Sequence, residues 1–419
     1  MEEILQIFTK LIGIVIMVCF SYQFIYVIVG LIVKPKKLIA KNKHRYAVVI
    51  SARNERMVIK NLIASIQSQS YDVDLVDTIV IADNCTDDTA QVARRAGAIV
   101  YERFNLEKIG KGYALDYGFK QIDKEKGIDY YDGYFIIDAD NILEEDYIEQ
   151  MNHVFDNGYR IVTSYRNSKN FGANWISFGY GVWFLREAKF VNNARMILGV
   201  SCAVSGTGFL VSSEIIKENH GWKHHLLTED IEFSVDSMIH GEKIGYCGDA
   251  IFYDEQPEDM EASWHQRMRW SRGFYQVFYN YGKQLISRCI KKKDFSCYDM
   301  FITLVPGIGL SLLTMIISII SLYLGAFHLK FAIMLCLKSI GGTLFTSYLT
   351  FLLLGAVTLL SERKRVHCKW YKSIFYLFLF PVFMCTYIPI SFVALFYTPE
   401  WKQIHHTVAI TRKEIHESQ

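Results

Sequence analysis

The sequence is poor in the features that would mark several common classes of protein. Its formal net charge is only +2, which argues against a nucleic-acid binder, since those carry a strong basic excess. Nine cysteines are scattered with no C-x-x-C pair, so neither a zinc ribbon nor a disulfide framework is readable from spacing. Free thiols suit a reducing, cytoplasmic compartment. There is no G-x-x-x-x-G-K-[ST] phosphate loop. Gly206-Thr207-Gly208 runs straight into Phe-Leu-Val and does not complete G-x-G-x-x-G, so a nicotinamide or flavin cofactor is not indicated. Internal repeats and low-complexity tracts are absent. The sequon Asn84-Cys85-Thr86 reads as fortuitous within a buried motif.

What the chain has in quantity is apolar sequence, 51% of 419 residues, for a mean hydropathy of +0.14. It is concentrated in four uncharged stretches, Leu11–Val33, Met300–Phe327, Ser339–Leu360 and Ile374–Tyr397. Each is long enough to cross a bilayer, which takes about 20 residues. Lys34, Lys36, Lys37, Lys41, Lys43 and Arg45 follow the first stretch, so it is an anchor and not a signal peptide. The positive-inside rule then puts the N-terminus outside and residues 34–299 in the cytoplasm. Arg288 and Lys291–Lys293 before the second stretch agree, as do Arg363, Lys364, Arg365, Lys369 and Lys372 before the fourth. Parity places the tail after Tyr397 outside, unless Pro381 and Pro389 make the fourth stretch re-entrant. The expected organisation is an anchor (1–33), a cytoplasmic domain (34–262), interfacial helices (263–299), three spanning or re-entrant segments (300–397) and a tail (398–419).

The cytoplasmic part alternates short apolar runs with helical patterns. YAVVIS (46–51), DTIVIA (77–82), AIVYE (98–102), GYFII (133–137) and RIVTSY (160–165) read as strands. Their rhythm predicts an α/β domain with a mainly parallel, doubly wound sheet, whose ligands bind beyond the carboxyl ends of strands.

FIIDADN (135–141) ends such a strand in two carboxylates, Asp138 and Asp140. Adjacent carboxylates repel unless a cation offsets them, and Mg²⁺ is held by one or two carboxylates plus substrate phosphates. The competing reading is a helix cap for a helix beginning near Leu143. Ala52-Arg53-Asn54-Glu55 and Asp83-Asn84-Cys85 lie at the same rim, where a nucleotide would sit; Asp87 reads as a cap for the next helix. Gly110-Lys111-Gly112 reads as a flexible turn with one cation. Thr228-Glu229-Asp230 opens a helix; capping accounts for Thr228, while a carboxylate there could serve as general base on a hydroxyl. In SWHQRMRWSRG (263–273), Gln266, Arg269 and Trp270 share a helical face. Arg267, Arg269 and Arg272 supply positive charge for a diphosphate, and Trp270 offers a ring on which a sugar could stack. Residues 273–287 read as an amphipathic membrane-surface helix.

Taken together, D-x-D at 138–140, T-E-D at 228–230 and Q-x-x-R-W at 266–270 resemble the membrane-embedded family 2 glycosyltransferases, which include the synthases of cellulose, chitin, hyaluronan and poly-N-acetylglucosamine. The resemblance implies a GT-A fold and an inverting transfer from a nucleotide sugar, UDP-linked, with Mg²⁺ or Mn²⁺. It implies that Glu55, Asp83, Lys111, Asp138, Gln266 and Arg269 contact the donor and that Asp140 contacts the metal. Asp230, beside Glu229, would be the base, and Trp270, Gly206 and Thr207 would mark the acceptor end. The acceptor loop reads VSGTG without the cysteine of the hyaluronan and cellulose enzymes. A processive polysaccharide synthase is the leading expectation, a transferase acting on a membrane lipid is the alternative, and a non-catalytic sugar-nucleotide sensor is a third.

Overall fold

The computed structural model describes residues 17–304, 329–399 and 408–417, together with single positions between 7 and 15 and at 316 and 319. The second apolar stretch therefore lies, beyond Leu304, outside the described residues.

The five expected strands form: β1 (Tyr46–Ala52), β2 (Val76–Asp83), β3 (Ile99–Arg103), β4 (Gly133–Asp138) and β6 (Ile161–Ser168). Three more, β5 (Ile142–Leu143), β7 (Phe209–Ser212) and β8 (Ile244–Asp254), complete an eight-stranded sheet of order β3-β2-β1-β4-β7-β6-β8-β5. The half from β3 to β4 is parallel. The short β7 is antiparallel to both β4 and β6, and β5 is antiparallel to β8. The sheet is mixed: β6 and β8 also pair in parallel, so parallel ladders predominate as expected, and the main departure is the antiparallel β7. The reason is the turn before β7. Gly206 and Gly208 have φ of +77° and +69°, a left-handed backbone open to glycine, and they reverse the chain into the middle of the sheet.

Successive strand residues point to opposite faces, and both faces are covered. Val48, Ile50, Phe135 and Ile137 pack on one side, under the Ile59–Gln67 and Tyr147–Phe155 helices. Val49, Ile79, Ile81 and Ile136 pack on the other, with Phe119, Phe209 and Phe233. This two-sided burial is why the strands read as continuous apolar runs. Truncating a fully buried member such as Ile136 to Ala would cost about 2–5 kcal/mol.

Among the described residues, three helical stretches are long and apolar enough to cross a membrane: Gly13–Ile32, Ile340–Ser361 and Trp370–Phe396. The first is fastened to the α/β domain. Tyr22 and Tyr26 donate to the two carboxylate oxygens of Asp299 at 2.7 and 2.8 Å, and Arg195 Nε donates to Asp299 at 2.7 Å. Gly30 lets this helix approach closely, for a Cβ there would lie 2.7 Å from the carbonyl of Lys189.

The tail departs from the parity count. Tyr165 donates to Glu362, and Asn167 to the carbonyl of Arg365, so the basic loop before Trp370 rests on the α/β domain. The segment after Tyr397 returns to the same domain. Lys169 Nζ donates to the carbonyl of Val408, Val408 N–H donates to Glu255, and Ile415 is buried. The Trp370–Cys385 and Tyr387–Phe396 helices meet at Thr386, and the described residues before and after the apolar segment they form both contact the α/β domain.

Candidate active site

One cavity of about 1080 Å³ is bounded by the carboxyl edge of the sheet and by the helices that follow it. Its wall includes Glu55, Asp83, Lys111, Asp138, Asp140, Gly206, Glu229, Asp230, Gln266, Arg269 and Trp270. Residues more than two hundred positions apart in sequence thus meet in one space.

The sheet side comes from three strand ends. Asp83 closes β2 and is buried; it accepts from Arg103 Nη1 at 2.5 Å and from Asn84 Nδ2 at 3.2 Å. Asn84, the sequon asparagine, is buried with both amide atoms engaged by Asn105, so it is closed to modification. Asn54 holds φ at +56° and accepts from the backbone N–H of Thr86 at 2.7 Å, which joins the β1 and β2 rims. Asp87 accepts from Thr89 N–H at 3.0 Å, although the N-cap position of the Thr89–Arg95 helix is Asp88, one residue later than expected.

Asp138 ends β4. It is paired with Lys111, whose ammonium also donates to the carbonyl of Gly206 at 2.7 Å. Burial disfavours the Lys111 charge, but Asp138, Glu229 and Asp230 outweigh it and hold the ammonium above its usual pKa. Gly110-Lys111-Gly112 is not a loose turn. Lys111 starts the Lys111–Lys126 helix, and a Cβ on Gly112 would lie 2.2 Å from the carbonyl of His224. Asp140 accepts from Glu255 N–H at 2.9 Å. Neither aspartate caps a helix near Leu143: that residue lies in β5, and the next helix begins at Tyr147. Thr207 does not face the cavity. It is buried, donating to Asn141 Oδ1 at 2.6 Å and accepting from Asp138 N–H at 2.8 Å.

The helical side begins with the Glu229–His240 helix. Thr228 does not cap it; its hydroxyl is buried without a partner. Asp230 Oδ2 accepts from Gly206 N–H at 2.6 Å. Burial raises the pKa of both Glu229 and Asp230, the Asp230 charge further disfavours ionisation of Glu229, and Lys111 opposes both shifts.

The Met260–Lys292 helix runs through most of the expected interfacial segment, and a second helix begins at Phe295. Gln266, Arg269 and Trp270 line the cavity together, as their spacing requires. The other two arginines of that stretch do not. Arg267 is fully buried and donates to Thr386 Oγ1 at 2.5 Å and to the carbonyl of Phe383 at 3.1 Å. Arg272 donates to the carbonyls of Ala394 and Leu395. At 3.6 residues per turn, Arg267 lies about 200° from Arg269, on the opposite face, where it pins the C-terminal helices.

Sequence reasoning missed Arg166, Trp183, Arg186, Glu187 and Asp254, all on the cavity wall. They belong to no short motif. Only the position of Asp254 at the end of a strand could have drawn attention. Arg166 Nε donates to Asp254 Oδ2 at 2.7 Å, while Asp254 Oδ1 is buried without a hydrogen-bond partner.

Residues 44–273 match the family model described as "Glycosyltransferase like family 2". Over 289 residues the chain is 25% identical to the probable glycosyltransferase YdaM of Bacillus subtilis, covering 63% of each. It is 23% identical to the beta-monoglucosyldiacylglycerol synthase of Synechocystis over 62% of this chain and 54% of that protein. It is 22% identical to the poly-beta-1,6-N-acetyl-D-glucosamine synthase of Staphylococcus aureus over 55% of this chain and 54% of that one. The chain thus spans little more than half the length of these relatives. Among solved structures, the mannosyltransferase PcManGT of Pyrobaculum calidifontis, in complex with GDP-Man and Mn²⁺, superposes with a TM-score of 0.59 at 16% identity, covering 87% of this chain and 99% of that one. The mixed sheet is therefore of GT-A type. A family match across more than half of the chain, seated on the domain that builds this cavity, makes the protein a member of glycosyltransferase family 2.

Proposed function

We propose that the protein is an inverting glycosyltransferase that moves a sugar from a UDP-linked donor to a growing polysaccharide at the cytoplasmic membrane face. The observation that carries this reading is the convergence of D-x-D, T-E-D and Q-x-x-R-W, from three separate parts of the chain, on one cavity.

In this reading the nucleotide lies against Glu55 and Asp83. Asp138 and Lys111 face the diphosphate-linked sugar, and Arg269 with Gln266 holds the diphosphate. Asp230 is the base that takes the acceptor hydroxyl proton as that oxygen attacks the sugar carbon and the diphosphate leaves. Gly206 N–H fixes Oδ2 of Asp230. Burial raises the basicity of Asp230. One base suffices for a single displacement, hence inversion. Trp270 marks the acceptor end, on the cavity wall that also includes Gly206.

The residues present fit a divalent cation. Among the described residues no cluster of three or more Asp, Glu, His or Cys side chains forms a complete metal site, but Mg²⁺ or Mn²⁺ needs only one or two carboxylates when phosphates supply the rest. Asp140 would hold it, beside the unpartnered oxygen of Asp254, and when bound the ion supplies positive charge to the departing diphosphate.

A lipid acceptor is the second reading, and a specific observation favours it. The cavity continues past Trp270 between helices of the apolar segments, where Phe24, Val27, Phe351 and Leu354 line it. Either acceptor arrives from the membrane side.

The test is incorporation from radiolabelled UDP- and GDP-sugars by membranes expressing the protein, with D230N as control. A high-mass, lipid-insoluble product confirms the polymerase. Label in chloroform-soluble material moves the reading to glycolipid synthesis. No incorporation from any donor overturns the transferase.

A further inference from the structure

The Trp175–Arg186 helix passes through a π turn, Glu187–Asn192, into the Asn193–Leu198 helix. Such widened turns concentrate at functional sites. This one begins at Glu187, on the wall of the cavity that also holds Asp230.

Among the described residues the Glu187 carboxylate makes no hydrogen bond and no ion pair within 4.0 Å. It lies within electrostatic range of Arg166, Arg186, Arg195 and Asp230. A counterion for a buried arginine would explain a carboxylate here, but the neighbours do not require one. Arg166 is paired with Asp254 and Arg195 with Asp299. Only Arg186 is left, and it does not touch Glu187. Arg186 lies over the ring of Trp183, 4.7 Å from its centroid, and its buried Nε has no partner. Its one hydrogen bond, to Gln23 Oε1, is long at 3.4 Å.

A flat indole, a planar donor and an unpaired acceptor therefore share one wall, and their charges cancel. An anionic ligand would be repelled by Glu187, and a wholly apolar one would leave the half-buried Glu187 carboxylate and the buried Arg186 Nε without partners. A neutral, hydroxyl-rich ring satisfies all three: hydroxyls donate to Glu187 and accept from Arg186, while the ring face lies on Trp183.

We propose that Glu187, Arg186 and Trp183 form a subsite for a sugar ring of the acceptor, next to the base. The inference rests on the transferase reading above and deepens it: the acceptor already carries a sugar, whether as a glycan end or as a glycolipid headgroup. A bare lipid alcohol would leave the subsite unfilled.

The test is steady-state transfer by E187Q and E187D in the full chain, varying acceptor concentration, with UDP affinity measured by calorimetry on the same preparations. A short oligosaccharide and a monoglycosyl lipid are both offered as acceptors, and whichever serves the wild type identifies the source of the ring. For E187Q the acceptor KM should rise about tenfold, the loss expected for one hydrogen bond to a charged group. E187D should recover part of it, and UDP affinity should stay within about twofold in both. An E187Q acceptor KM equal to wild type overturns the subsite, as does a fall in UDP affinity matching the loss in KM, which would mean a general structural defect. Wild-type transfer to an unglycosylated alcohol with equal KM overturns it too. If the wild type transfers to nothing, the transferase reading falls and the subsite falls with it.

Discussion

The two sides of the cavity are built on different principles. On the sheet side, charges are mostly satisfied before any ligand arrives: Asp83 by Arg103, Asp138 by Lys111, Arg166 by Asp254. On the helical side, buried polar atoms wait without partners: Gln266 Oε1, Thr228 Oγ1 and Arg186 Nε. An unpaired buried polar group costs about 1–3 kcal/mol, so a fold keeps several in one cavity only where a ligand repays them. The sheet side is a preformed cradle whose geometry is held by strand ends. The helical side keeps buried polar atoms without a protein partner. Asp254 Oδ1 is the exception on the sheet side, and it sits where a cation would be held.

The comparison can be broken first at the base. Asp230→Asn should reduce transfer about a thousandfold, within the span of general-base effects, while UDP affinity stays unchanged; a comparable loss of UDP binding would put Asp230 on the donor side. Next comes the cation. Asp140→Asn, or excess EDTA on the wild type, should reduce transfer at least about a hundredfold and weaken UDP binding in calorimetry. Full activity in chelator would remove Asp140 from metal binding. A smaller effect is expected at Trp270: its replacement by Ala should slow transfer to acceptor about tenfold more than hydrolysis of the donor, and equal losses would move the ring to the donor side.

Two milder perturbations sharpen the contrast. Glu229 and Asp230 titrate higher than ordinary carboxyls, so transfer should fall as pH drops through that raised range, when the base becomes protonated. Lys111 opposes the shift, so Lys111→Met should move this acid limb to still higher pH. A limb that does not move would uncouple Lys111 from the base. Finally, Arg267→Ala should lower stability by about 3 kcal/mol, seen as a lower Tm, without altering the KM for the donor, because its guanidinium faces Phe383 and Thr386 and not the cavity.

Much of the sheet side was legible from the chain. Strands buried on both faces write themselves as apolar runs, and polar residues at their ends fall at the ligand rim by topology. β7 was hidden because it is four residues long, and its Phe-Leu-Val served only to disqualify a dinucleotide motif. The spacing of Gln266, Arg269 and Trp270 gave their shared face correctly. The same arithmetic, applied to Arg267, would have turned it away from Arg269, whereas Arg272, three residues from Arg269, is turned away only by its tertiary contacts. Glu187 and Arg186 were invisible, since a charged pair inside a mostly apolar helix reads as an ordinary solvated turn. Nothing local says that it faces the cavity.

Sequence by itself determined the α/β rhythm, the apolar helices, and the three motifs that mark a family 2 glycosyltransferase. These follow from periodicity and from the chemistry of neighbouring residues, which are local. Tertiary structure alone decided the rest. It set β7 antiparallel in the sheet, returned Val408–Ile415 to the domain that parity had separated it from, and turned Arg267 away from Arg269. It also brought Glu187 and Asp230 onto the wall of one cavity. Those outcomes depend on contacts between segments far apart in the chain, which no window along it contains.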